Sequence, residues 1–190
     1  MKNYSFVTSN FKKYVNTCKR KGDPMTLVTS KDGENVYFVN GYTAFKCPSM
    51  YYRTDLQEIF CTDAPAPGTK KDLTDNHAGG SHPDELVENA VKESRLSITR
   101  TNIVLKNTGS QYSKKDVTLF AAEGNGIAID NIYLDMYNLE NANYYSVGGP
   151  SSIIVAKLCD GCEILLLPVR MTKEQLFINN AVKLWMEQYP

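Results

Sequence analysis

Residues 126–171 read GIAIDNIYLDMYNLENANYYSVGGPSSIIVAKLCDGCEILLLPVRM, and this stretch decides the fold. Ile127 and Ile129, and later Tyr144 and Ser146, keep the two-residue period of half-buried strands. Between them Tyr133, Leu134 and Tyr137 recur at helical spacing, which predicts a helix over Asn131–Asn141 with Asp130 as its cap. The strand over Tyr144–Val147 is broken by Gly148-Gly149-Pro150. A hairpin then turns at Asp160-Gly161, a pair suited to a type I′ turn because both central positions need positive φ. The run Ile164–Pro168 closes the unit, which reads β-α-β-β-β.

The N-terminal part has the same order of elements. Residues 2–8 read as a strand, and Ser9 as the N-cap of a helix over 10–21. Phe11, Tyr14, Val15 and Cys18 fall at i, i+3, i+4 and i+7 on that helix and make one buried stripe. Lys12, Lys13, Lys19, Arg20 and Lys21 occupy the rest, and Gly22-Asp23-Pro24 stops it. Two hairpins follow, Met25–Ser30 turning at Asp32-Gly33 into Asn35–Val39, and Asn40-Gly41 leading into Tyr42–Cys47. The two parts share element order and almost no residue identities, a hint of internal repetition.

Between them, residues 61–83 (CTDAPAPGTKKDLTDNHAGGSHP) are rich in Pro, Gly, Asp, Thr and Lys and read as a loop or linker. Asp84–Ser94 reads as a short helix with Leu86, Ala90 and Val91 on its buried side. Strands are expected over Leu96–Asn107 and Asp116–Ala122, with the polar loop NTGSQYSKK between them. After Met171, Thr172 and Gln175 form a capping box. The stripe Phe177, Ala181, Leu184 and Trp185 predicts an amphipathic helix anchored by the one tryptophan.

The totals bound the function. At 190 residues, 42% hydrophobic and 22% charged, the chain has the composition of an ordinary globular protein with room for one well-buried core. Formal net charge is zero, so attraction to nucleic acid or a membrane surface must come from a local patch. No apolar run approaches the ~18–20 residues of a membrane span, and the N-terminus lacks a signal-peptide core. Five scattered cysteines do not make a disulfide framework, so a cytoplasmic setting is expected.

Candidate chemistry is sparse. Cys159-Asp160-Gly161-Cys162 has the spacing of a zinc knuckle or redox pair. Tetrahedral zinc needs two further ligands, and Cys47, Cys61, His77 and His82 are donors only if folding gathers them. The plainer reading is a tight turn, and neither metal nor cofactor is expected. His77 and His82 lie in the Gly-rich linker with Asp72, Asp75 and Asp84 nearby, where a solvated loop is the simpler reading. The glycine pairs spell no phosphate loop. Nothing demands an enzyme. The basic helix is the best nucleic-acid feature: five cations in ten residues, Lys12, Lys13, Lys19, Arg20 and Lys21, could neutralise phosphates in a salt-sensitive, sequence-independent way. The alternative is that long cationic side chains only solvate an outer face.

Several of these stretches resemble one family. Ile127-Ala128-Ile129-Asp130-Asn131-Ile132-Tyr133-Leu134 is similar to the strand-to-helix step of bacterial sliding clamps, the DNA polymerase III beta subunit. Gly149-Pro150-Ser151-Ser152-Ile153-Ile154 resembles that family's Pro-containing strand start. Glu163–Met171, ending Pro168-Val169-Arg170-Met171, resembles its closing Pro-x-Arg-Leu. Val39-Asn40-Gly41-Tyr42-Thr43-Ala44 sits where clamps carry a Thr-Asp-Gly turn.

The resemblance implies an α+β clamp-like domain of two pseudo-symmetric β-α-β-β-β halves, with both helices on one side of fused sheets. A single domain over 1–171 is expected (halves 1–60 and 95–171, linker 61–94), followed by a C-terminal helix over 172–190. It also implies that Lys12, Lys13, Lys19 and Arg20 face double-stranded DNA, and that Pro168, Val169, Arg170 and Met171 border a pocket for peptides of replication proteins. Three features depart from the family. The chain has room for one domain where a clamp subunit strings three, so a ring would need about six copies. The second helix carries Asp135 and Glu140 and no cation. Finally, 19 residues extend past Met171.

The leading expectation is therefore a non-enzymatic clamp-like accessory protein, from a phage or mobile element, that binds DNA or replication proteins and can form homo-oligomers. The second is an interaction module that keeps the fold without sliding on DNA. A metal-dependent enzyme built on Cys159 and Cys162 is a distant third.

Overall fold

The computed structural model describes residues 6–76, 82–110, 113–158, 160–171 and 173–189. Its elements run α1 (Thr8–Lys21), β1 (Thr26–Thr29), β2 (Asn35–Val39), β3 (Thr43–Pro48), α2 (Ser49–Tyr51), a π-helical turn (Tyr52–Leu56), α3 (Gln57–Phe60), β4 (Lys70–Asp72), α4 (Pro83–Glu93), β5 (Leu96–Ser110), β6 (Ser113–Ala122), β7 (Asn125–Asp130), α5 (Asn131–Leu134), β8 (Asn143–Ser146), β9 (Ile154–Lys157), β10 (Glu163–Leu166) and α6 (Gln175–Gln188). The class is α+β, with helices on a ten-stranded antiparallel sheet of order β4-β1-β2-β3-β10-β9-β8-β5-β6-β7. The seam between early and late strands is β3 against β10, with Phe45 opposite Ile164 and Ala44 opposite Leu165.

Alternation along the strands sorts side chains onto two faces. Val36, Phe38, Phe45, Ile127, Ile129, Ile164 and Leu166 point to the face that carries α1, α3 and α5. Tyr37, Val39, Ala44 and Leu165 point the other way, where α4 covers them, and Leu119 and Ala128 meet α6 on that same side. Phe11 of α1 anchors the first face, its ring 5.7 Å from Phe60, 5.9 Å from Phe45 and 5.2 Å from Phe6. Each such tilted or edge contact adds about 0.5–1.5 kcal/mol to the burial itself.

Several expectations are corrected. Helix α1 begins at Thr8 with Val7 as N-cap and no capping side chain, so Ser9 lies inside it. Its end is as expected: Gly22 adopts φ 70° and donates to the Cys18 and Lys19 carbonyls, a left-handed cap open to glycine. Of the strand expected over 2–8, Phe6, Val7 and Thr8 are described, and Thr8 already belongs to α1. Phe6 makes a single bridge to Tyr137, and the Val7 N–H donates to the Met136 carbonyl. That pairing accounts for the short α5, which spans Asn131–Leu134 rather than Asn131–Asn141. Tyr137 is drawn into an extended bridge and leaves no room for further turns. The Asp130 cap is present, its Oδ1 accepting the Ile132 N–H at 3.0 Å.

Of residues 61–83, positions 77–81 lie outside the described residues, and 61–76 are more ordered than their composition suggests. Lys70–Asp72 forms β4, paired with Thr26–Val28, because polar side chains cost nothing on an outer strand. Residues 49–60, which carry no clear periodicity, bury Tyr52, Leu56, Ile59 and Phe60. The loop expected over 107–115 is largely strand, with Thr108 opposite Lys115. Among the described residues of the β9–β10 turn only Gly161 has positive φ (82°), so Asp160-Gly161 is not a type I′ pair, and the Asp160 side chain accepts the Cys162 N–H instead.

Two helices are rotated from their expected faces. On α4, Val87 is buried with Ala90 and Val91 beside it, while Leu86 is exposed. On α6, Ile178 and Val182 are buried and Trp185 packs at the edge, its Nε1 donating to Asn102 Oδ1 at 2.9 Å. Phe177 and Leu184, expected inside, are exposed. Thr172 of the expected capping box lies outside the described residues, and α6 starts after Glu174 without a side-chain cap. No described helix is long and apolar enough to cross a membrane.

Candidate nucleic-acid interface

Helix α1 buries Phe11, Val15 and Cys18, which leaves its cations on the outer arc, and neighbouring elements divide them into two groups. Lys12 and Lys19, one heptad apart, lean toward α3. Lys12 Nζ lies 3.4 Å from Glu58 Oε1, and Lys19 Nζ donates to the Phe60 carbonyl at 2.7 Å. Lys19 therefore helps to close the end of α3. Lys13, Arg20 and Lys21 have no acidic partner among the described residues.

Lys13, Thr17 and Lys21 follow one another at i, i+4 and i+8 and form one bank of a groove of about 940 Å³ between α1, β6 and α5. Lys114 and Lys115 of β6 stand on the other bank with Asp116, Asp130 and Asp135. Lys115 Nζ is held 3.0 Å from Asp130 Oδ2. Asn10 Nδ2 crosses the groove to the Asp135 carbonyl at 2.9 Å. Tyr14 meets Tyr133 edge-on at 6.1 Å, and Asn40 Nδ2 donates to the Tyr14 hydroxyl. Burial, reinforced by Cys18 and Tyr133, pushes the Tyr14 hydroxyl far above its ordinary value, so it stays neutral.

The groove is thus lined by four cations, Lys13, Lys21, Lys114 and Lys115, and four carboxylates, Asp23, Asp116, Asp130 and Asp135, of which Lys115 and Asp130 form an ion pair. Such a balance does not draw in a polyanion. The outer ridge of α1 is the surface suited to phosphates.

Lys114 and Lys115 belong to this site and were missed by the sequence reading. Their only signal is adjacency, and a hundred residues separate them from α1. Of Pro168, Val169, Arg170 and Met171, Val169 and Met171 pack in the cluster on the α6 side of the sheet. Pro168 and Val169 are half-buried, Arg170 is exposed, and Met171 is buried beneath α6 with Ile178 and Val182. The Val169 N–H donates to the Ala128 carbonyl at 2.8 Å. The structure does not bring these four residues and the basic helix together.

Among the described residues no three of His, Cys, Asp and Glu gather as metal ligands. His77 and Cys159 lie outside the described residues, Cys162 is buried, and His82 is exposed at the start of α4, 3.9 Å from Glu85. Burial pushes the Cys47 thiol well above its ordinary value, which keeps it protonated.

The chain is similar to a solved structure of DNA polymerase III subunit beta from Borrelia burgdorferi in complex with a natural product. Identity is 9% and the TM-score 0.36, over 90% of this chain and 64% of that one, so the chain spans less than two thirds of that protein's length. No protein-family model and no curated protein match the sequence.

Proposed function

We propose that the chain is a non-enzymatic, clamp-like accessory protein that lays the outer ridge of α1 along double-stranded DNA and engages replication proteins. The observation that carries this reading is the set Lys13, Arg20 and Lys21, three cations on one exposed ridge without acidic partners among the described residues. Two strand groups joined at the β3–β10 seam, with α1 and α5 side by side on one face, support the view that the early and late parts are related half-folds. Binding through such a ridge is electrostatic and indifferent to base sequence.

Fluorescence anisotropy with a labelled duplex at low salt, repeated as salt rises, tests the reading. Expected is weak, sequence-independent binding that falls steeply with salt; its absence at low salt removes the DNA role.

A second reading, an interaction module without DNA sliding, is favoured by the exposed Leu176, Phe177 and Leu184 on α6, apolar side chains suited to a protein partner. Light scattering separates the two: a ring-sized oligomer supports sliding, and a monomer or dimer supports the module.

A further inference from the structure

Helix α6 carries two apolar stripes, and the fold of one chain covers only the first. Ile178 and Val182 lie against β6 and β7, with Trp185 packed at their edge. Leu176, Phe177 and Leu184 are 75%, 62% and 60% exposed, on the arc that turns away from the sheet. A helix that is apolar on both sides is normally covered on both.

The polar residues of that outer arc are ordered by charge. At 3.6 residues per turn Asn180 falls between Leu176, Phe177 and Leu184, and Glu187 lies one heptad beyond it. Lys173, in the turn that enters α6, continues the same line one heptad before Asn180, and Lys183 flanks it. All four are exposed, and Lys173, Lys183 and Glu187 make no ion pair among the described residues. The arc thus has a cation at one end, a carboxylate at the other and an apolar patch centred on an amide.

Such a surface complements itself when turned end over end. Setting Asn180 beside Asn180 of a second, antiparallel α6 brings Lys173 of each copy level with Glu187 of the other. It also brings Leu176 level with Leu184, and every contact occurs twice because the arrangement is two-fold symmetric. Phe177 then meets Lys183, whose stem covers the ring and whose ammonium faces it. A parallel pair would set Lys173, Lys183 and Glu187 each against its own like charge. Charge therefore selects the antiparallel order, and the central Asn180 fixes the register at some cost in strength.

We infer that this face docks a second copy of the chain through an antiparallel, two-fold contact between α6 helices. The inference rests on the reading of α6 as an interaction surface and names its partner. At 14 residues the helix is about 21 Å long. One face of that length buries less than the ~1,200 Å² of a standard interface, so the dimer is weak and forms on the order of 100 µM.

Sedimentation equilibrium of the full chain from about 10 µM to about 1 mM tests it, with amide chemical shifts followed over the same range. Expected is a monomer–dimer equilibrium, with shifts at Leu176, Phe177, Asn180 and Leu184 that grow with concentration. Leu184→Ser, at an exposed position, should fold normally and dimerise at least ~10-fold more weakly. Lys173→Glu and Glu187→Lys should each weaken dimerisation about 3- to 10-fold, and the double exchange should restore it. A chain still monomeric at the highest concentration overturns the inference and leaves the interaction-module reading standing with a different protein as partner. A dimer indifferent to Leu184→Ser, or single exchanges that the double exchange does not rescue, overturns it as well. A ring-sized oligomer removes the interaction-module reading itself, and the α6 dimer with it.

Discussion

Gly126 of β7 lies so close to Ile178 of α6 that a Cβ on the glycine would stand 2.3 Å from Ile178 Cγ2. The contact is also polar, since the Gly126 N–H donates to Asn179 Oδ1 at 3.0 Å and its carbonyl accepts Gln175 Nε2 at 2.9 Å. Backbone and helix are locked together at the one residue type that leaves room. Gly126→Ala is therefore expected to cost about 1–3 kcal/mol. Urea unfolding followed by Trp185 fluorescence measures it. Adding Ile178→Ala to Gly126→Ala should recover part of the loss, because the two positions share one contact. Strict additivity of the two changes would mean that α6 docks some other way.

That contact also shows why sequence periodicity placed α6 but not its phase. Leu176, Phe177, Ile178, Ala181, Val182, Leu184 and Trp185 supply two overlapping apolar stripes, and pattern alone cannot choose between them. The choice is made by Gly126, fifty residues away, together with the hydrogen bonds of Gln175 and Asn179. Leu86 follows similar logic: it sits on a regular stripe of α4, yet it faces a concavity rather than a packed layer. Helix α5 was legible at its start, where Asp130 caps it, and illegible at its end, where a bridge from Phe6 competes. The strand hairpins of 26–48 and 154–166 were readable because alternation and Gly turns are local. The basic ridge was readable too, but the partners that withdraw Lys12 and Lys19 come from residues 58 and 60.

The salt dependence of DNA binding checks the ridge itself. In the counterion picture each neutralised phosphate contributes about 0.9 to the slope of log K against log salt. Replacing Lys13, Arg20 and Lys21 together by Gln should reduce that slope by about 2.7. Lys19→Gln should act differently, since its ammonium is already engaged by the Phe60 carbonyl: stability falls and the slope changes little. Equal slopes for wild type and the triple variant would move the DNA contact elsewhere.

Asp130 performs two tasks that substitution can separate. Its Oδ1 caps α5 at the Ile132 N–H, and its Oδ2 lies 3.0 Å from Lys115 Nζ. The Lys115 side chain is 33% exposed, so its pair adds at most ~1 kcal/mol to a cap of similar size. Asp130→Ala should cost about 2 kcal/mol, and Asp130→Asn, which keeps an acceptor for the cap, about half of that. Thermal unfolding of the two variants measures the split. Equal losses would assign the whole effect to the charge.

The last prediction concerns acid. Glu88 of α4 receives Lys46 Nζ at 2.8 Å and the Tyr37 hydroxyl at 2.7 Å, a link between the helix and the two strands beneath it. Burial alone would raise the Glu88 carboxyl, but the Lys46 and Tyr37 hydrogen bonds outweigh it and hold the group below its ordinary 4.5. Because the folded value is the lower one, the unfolded chain takes up the proton first as pH falls. The stabilisation is therefore complete above about 4.5 and is lost as pH falls through the folded value. With the Glu88 side chain 46% exposed, screening keeps the effect under ~1 kcal/mol. Urea midpoints of wild type and Glu88→Gln should differ at neutral pH and converge in acid. A gap that persists at low pH would show that the glutamate acts through packing and not through its charge.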